Sequence, residues 1–173
     1  AGLVVLPLFT LDAVVLIALG LAGPAHVSVL LGLLIAATAF AIGVALLHIE
    51  DGEVRGVLSL VQNDLFDLGA DLSVPEREGS TRSRLRVSAK QVETLERHID
   101  KFNEALSPLK SFILPAGSLL AAQLQVARAV CRRAERRVVA LAAIETVEPR
   151  AVKFLNRLAD LLFVMARWCN HRA

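Results

Sequence analysis

Residues Phe112–Arg137 read FILPAGSLLAAQLQVARAVCRRAERR, and this stretch decides the fold. A short apolar loop, Leu114-Pro115-Ala116-Gly117-Ser118, gives way to a long helical pattern running to about residue 145. Leu124, Ala127, Cys131, Ala134, Val138 and Leu141 recur at helical spacing and form one buried stripe. Arg128 and Arg132 stand four apart and Glu135 follows three later, so these three share a second face. Arg133, Arg136 and Arg137 cover adjacent faces. A solvated charged face is the plain reading of that row. The functional reading is a clamp for polyphosphate or carboxylate, because guanidinium forks match such oxygens two at a time. Ser118 reads as an N-cap, at a helix end that also favours anions. Phe112 is a core plug or an aromatic wall for a planar ligand, and its local context favours the plug.

Outward from this helix the pattern remains helical. Val54, Leu58, Val61, Leu65, Leu68 and Leu72 make one stripe, which Pro75 ends. Residues 76–87 are polar and read as an exposed loop. Ser88 and Gln91 form a capping box for a helix carrying Val92, Leu95, Ile99, Phe102 and Leu106. Pro108 and Pro115 bracket a loop. Pro149 opens a last helix that buries Leu155, Leu158, Leu162, Met165 and Cys169. With an apolar N-terminal helix, these predict an all-α, up-and-down five-helix bundle in a single domain over residues 1–173.

Composition bounds the function. Nineteen basic and 17 acidic residues leave a net charge of +2, which gives no polyelectrolyte signal for nucleic acid. The two cysteines, Cys131 and Cys169, fall at core-like helical positions and read as free thiols in a reducing, cytoplasmic compartment. Val27 to Leu47 carries no formal charge and is long enough to cross a bilayer. Gly23, Pro24 and His26 would break it from the apolar run before it. Residues 3–47 therefore read as a membrane-associated hairpin or anchor, or as the buried central helix of a bundle. No basic segment precedes them, so a secretory signal is not expected.

Other polar groups have bland and functional readings. Asp64, Asp67 and Asp71 share a helix face and read as salt-bridge partners between helices or subunits rather than as a Mg²⁺ site. Asn156, Arg157 and Asp160 interrupt an apolar run, as residues facing a ligand or another subunit do. The Walker A, dinucleotide-binding, zincin, nucleophile-elbow and di-iron motifs are all missing from the sequence.

Three segments together resemble the PduO-type ATP:cob(I)alamin adenosyltransferases. They are VQNDLFDLGADLSVP (Val61–Pro75), SFILPAGSLLAAQLQVARAVCRRAER (Ser111–Arg136) and FLNRLADLLFVMARWCN (Phe154–Asn170). The helix VSAKQVETLERHIDKFNEAL also matches, and the likeness runs over residues 41–170. The resemblance implies a ferritin-like homotrimer with active sites between subunits. It implies transfer of the 5′-deoxyadenosyl group of ATP, with Mg²⁺, to cob(I)alamin, giving adenosylcobalamin and triphosphate. An adenosylcobalamin-dependent acceptor enzyme is an implied partner.

By the same resemblance Phe112 crowds the lower face of the corrin and Arg132 contacts the triphosphate. Glu135, Arg137 and Asn156 fall near the nucleotide, and Arg128 makes an intersubunit salt bridge. The chain departs from the family pattern at Ala116, Gln125, Ala129 and Ala159. Residues 1–40 are atypical: the family's T-R-T-G-D-x-G-T-T loop is not present, and Ala36, Ala37 and Ala39 stand where Asp, Glu and Asn are expected. That gap predicts weakened ATP binding. It keeps open a protein that binds and delivers adenosylcobalamin, or a membrane-anchored helical protein.

Overall fold

The computed structural model describes residues 24–72, 86–143 and 146–172, with the first helix's side chains described from Leu31 onward. Five α-helices occupy them: α1 Pro24–Leu46, α2 Gly52–Leu72, α3 Ala89–Glu104, α4 Leu119–Ala142 and α5 Pro149–Arg172. There is no strand among the described residues. Helix α1 packs on α2 and α4, and α5 packs on α4 and α3, so α4 lies between α1 and α5. Pro75, residues 76–85, the apolar run before Pro24 and the expected end of α4 at residue 145 lie outside the described residues.

The stripes account for the packing. Leu124, Ala127, Cys131, Ala134, Val138 and Leu141 are buried, as are Leu155, Leu158, Leu162, Met165 and Cys169. Small residues along α4 let α1 and α5 approach closely, while Phe102 and Phe154 fill the wider gaps. Phe102 meets Trp168 edge-on, with ring centroids 5.2 Å apart at 72°.

Helix α1 begins with Pro24 in its first turn, which suits a proline because no intrahelical donor is lost there. His26 lies inside this helix, and the junction with the apolar run before Pro24 lies outside the described residues. Leu31, Ile35, Ile42 and Ala45 enter the bundle core, and Thr38 satisfies its buried hydroxyl on Leu34 O at 2.9 Å. Gln62 Nε2 donates to Ala39 O at 2.9 Å and ties α2 to α1. Among the described residues no helix is long and apolar enough to cross a membrane.

The ends are set by local hydrogen bonds. Asp51 Oδ1 accepts from the amides of Glu53 and Val54 at the start of α2, while its Oδ2 takes Arg172 Nη1 at 2.8 Å. The first turn of α2 is thereby joined to the last turn of α5. Both bonds of the Ser88–Gln91 capping box are present. Ser118 caps α4, accepting from Ala121 N at 3.2 Å.

Candidate functional site

Two neighbouring helices, α4 and α5, present the site. Within their shared seam Glu135 of α4 meets Asn156 of α5. Glu135 is 8% exposed. Its Oε2 pairs with Arg132 Nη1 at 2.5 Å and its Oε1 accepts from Asn156 Nδ2 at 3.0 Å. Asn156 Oδ1 accepts from Arg157 Nη2 at 2.6 Å, and Arg157 pairs with Asp160 at 3.1 Å. The chain of contacts therefore alternates in sign from Arg132 to Asp160. Buried carboxylates are stable only when so partnered.

This arrangement fixes what Arg132 can do. One amino group is held by Glu135, while the side chain as a whole is 43% exposed. The planar guanidinium has further N–H groups to offer an anion outside the helix, in an orientation already set.

Arg128, one turn earlier, lies with its guanidinium carbon 4.7 Å from the centre of the Phe163 ring, and Arg167 approaches the same ring at 5.9 Å. Arg128 Nε is buried without a hydrogen-bond partner. The acidic partner implied for Arg128 is not on α1, whose residues 24–46 include no Asp or Glu. Arg137 is exposed and falls about 140° around the helix from Arg132 at five residues' distance. It does not join the Arg132–Glu135–Asn156 group.

Cys131 lies under this group. Its S–H donates to Leu155 O at 3.4 Å. Burial first, and then the Glu135 charge, push its thiol up to about 12. It is a packing residue and not a nucleophile.

At the far end of the seam the 105–118 loop stands out from the bundle. Phe112 is fully exposed, so the expected core plug is not observed. Leu109 and Leu114 on the same loop are exposed as well. The loop borders an open groove of about 590 Å³ that Lys110, Arg167 and His171 also line. Gly117 has φ +119°, which favours glycine.

Of the α2 aspartates, Asp64 has a described contact that reaches another helix. Asp64 does bridge two helices, but its partner is the Gln91 amide, donating to Oδ1 at 2.8 Å, and not a cation. Desolvation raises its carboxyl above the ordinary range, and nearby Asp67 adds to the rise. Among the described residues no group of three His, Cys, Asp or Glu could hold a metal ion.

Residues 30–169 match the family model described as cobalamin adenosyltransferase. The chain belongs to that family. The corrinoid adenosyltransferase of Mycobacterium tuberculosis (strain ATCC 25618 / H37Rv) is 48% identical over 133 residues, covering 75% of this chain and 69% of the relative. The mouse corrinoid adenosyltransferase is 46% identical over 114 residues, covering 64% of this chain and 48% of the relative. A phenylalanine-to-alanine variant of the PduO-type ATP:corrinoid adenosyltransferase from Lactobacillus reuteri, complexed with cobalamin and ATP, superposes with a TM-score of 0.77. It is 29% identical, and the match covers 87% of this chain and 82% of that one. An arginine-to-lysine variant of the same Lactobacillus protein, complexed with ATP, gives 0.76 at 29% identity, with the same shares of each chain covered. Within this family the Arg132–Glu135–Asn156 group gains a reading that spacing alone left open. The contact of Arg128 with Phe163 and the bonds of Asn170 to Ser118 and Ala116 were not foreseen from the sequence.

Proposed function

We propose that this protein is a corrinoid adenosyltransferase that moves the 5′-deoxyadenosyl group of ATP to cob(I)alamin. The observation that carries the reading is Arg132, pinned by Glu135, which Asn156 holds in turn across the α4–α5 seam, in a chain of this family. The reduced cobalt supplies an electron pair to C5′ of ATP. The cobalt–carbon bond forms as the C5′–oxygen bond breaks, and triphosphate leaves with that bond's electrons.

Such a reaction asks the protein for position and for charge opposite the leaving group. Arg132 supplies the charge to the triphosphate. Glu135 holds it in one orientation and is itself held by Asn156, and Arg137, farther around the helix, adds to the wider positive field. Mg²⁺ accompanies the nucleotide, held by phosphate oxygens and water. Phe112, on its projecting loop, serves the lower face of the corrin. Its exposure supports this role, because an aromatic ring left in water gains from covering a planar ligand.

The assembly is a homotrimer with sites between neighbouring subunits. Exposed Leu33, Phe40 and Phe66 on α1 and α2 support a subunit contact, beside an apolar groove of about 780 Å³. Arg128 and Asp67 serve that contact. The buried free thiols of Cys131 and Cys169 support a cytoplasmic location. An acceptor enzyme that uses adenosylcobalamin is the downstream partner.

One observation favours a second reading, an adenosylcobalamin-binding protein with slow turnover. It is the run Ala36, Ala37 and Ala39 on α1 in place of polar side chains. The test is anaerobic incubation with ATP, Mg²⁺ and chemically reduced cobalamin, followed by the visible spectrum. Product formation abolished by Arg132→Ala supports the transferase. A folded trimer that binds adenosylcobalamin but forms none supports the second reading.

A further inference from the structure

We infer that Asn170, assisted by Arg167 one turn before it, is the positioning residue for the loop that presents Phe112. Asn170 makes three hydrogen bonds to the foot of that loop. Its Oδ1 accepts from Ser118 N at 2.9 Å and from Ser118 Oγ at 3.3 Å, and its Nδ2 donates to Ala116 O at 2.8 Å. Both ends of the amide are used, so its orientation is determined.

Gly117 confirms how tight the fit is. A Cβ there would lie 2.1 Å from Asn170 Oδ1, so a side chain at this position would displace the amide. The positive φ and the absent side chain let the backbone wrap the amide. Arg167 holds the other end of the same loop. Its Nη2 donates to Ser107 O at 2.6 Å, and its Nη1 reaches Asn103 Oδ1 at 3.5 Å. The last turns of α5 thus grip the loop on both sides of Phe112, which itself touches solvent only. A loop with exposed apolar residues has little burial of its own to fix it. Its geometry is set by these polar contacts.

The inference rests on the transferase reading, with Phe112 against the corrin. Kinetics and amide exchange test it together. Asn170→Ala should raise KM for cob(I)alamin by about tenfold, the loss of roughly one well-made hydrogen bond's net worth. KM for ATP should stay within about twofold, because Arg132 and Glu135 are held elsewhere.

Asn170→Asp separates positioning from bulk. A carboxylate still accepts from Ser118 but cannot donate to Ala116 O until it is protonated. Its KM for the corrinoid should therefore recover toward wild type as pH falls, while that of Asn170→Ala does not. Equal losses for ATP and corrinoid, or no loss for either, would overturn the inference.

If the wild-type protein forms no adenosylcobalamin, the transferase reading fails, and hydrogen exchange still decides the clamp. Faster exchange at the Ser118 amide in Asn170→Ala, with the middle of α4 unchanged, supports it. Unchanged exchange at Ser118 refutes it.

Discussion

Replacing Glu135 with alanine tests the central claim about the site. The carboxylate has two contacts of unequal worth. The pair with Arg132 is short, but the arginine is 43% exposed, so screening holds its contribution to about 0.5 kcal/mol. The bond from Asn156 Nδ2 at 3.0 Å ends on a charged acceptor inside the seam and is worth roughly 1.5–3 kcal/mol, including the donor it leaves orphaned. The lost stem adds about 1 kcal/mol of apolar burial.

Glu135→Ala should therefore destabilise the protein by about 3–4 kcal/mol, which for a chain of this size lowers Tm by roughly 6–16 °C. Glu135→Gln keeps the stem and an acceptor for Asn156 and should cost only about 1 kcal/mol. Thermal unfolding by far-ultraviolet circular dichroism gives both numbers, and the cob(I)alamin assay run alongside should show a raised KM for ATP in each. A glutamine variant as unstable as the alanine variant would refute the assignment of most of the energy to the Asn156 bond. An alanine variant with wild-type Tm would refute the whole account.

Three further outcomes follow from other features. Gly117→Ala should cost about 1–3 kcal/mol for φ strain alone and also displace Asn170; adding Asn170→Ala should restore only part of the loss in chemical denaturation. Asp64 carries a pKa raised by burial, so the stability it contributes is present in acid and is lost as pH rises through the folded value. Asp64→Asn should accordingly raise Tm at neutral pH, with the gain vanishing in acid. Cys131 and Cys169, with thiols pushed up to about 12 and about 11, should resist alkylation in the native state and react on unfolding. Because the unfolded thiols ionise first, the stability they contribute should fall as pH rises from about 9, measurable as a declining Tm.

The sequence made the bundle legible because each helix repeats its apolar residues at three and four, and because caps such as Ser88–Gln91 are local. Glu135 and Asn156 were legible as neighbours of an arginine row and as a polar interruption in α5. The bond between them was not, since antiparallel helices leave the partner register open. Asn170 was invisible for the same reason on a larger scale: its partners lie 52 and 54 positions away, and an asparagine near a helix end reads as ordinary solvent contact. Local context alone favoured Phe112 as a core plug, because an aromatic near proline in an apolar loop resembles packing, while the family resemblance set it against the corrin. The loop's two ends are bonded instead to Arg167 and Asn170 of α5, contacts that no local pattern encodes. Asp64 was read as an ion-pair partner because charge is visible in a sequence, whereas the Gln91 amide that faces it from α3 is not.

The bond between Glu135 and Asn156 has a further consequence, for sliding. A seam of alanine and leucine offers nearly equivalent packing if one helix shifts along the other by a turn, about 5.4 Å. The buried amide–carboxylate contact has no such equivalent, since a one-turn slip would set Asn156 against Cys131 or Val138. It acts as a vernier mark between α4 and α5. Ser118 and Asn170, toward the opposite end of the same two helices, provide a second mark. Two marks on one seam determine its alignment along the axis, so Arg132 and the loop that carries Phe112 are kept at a constant separation.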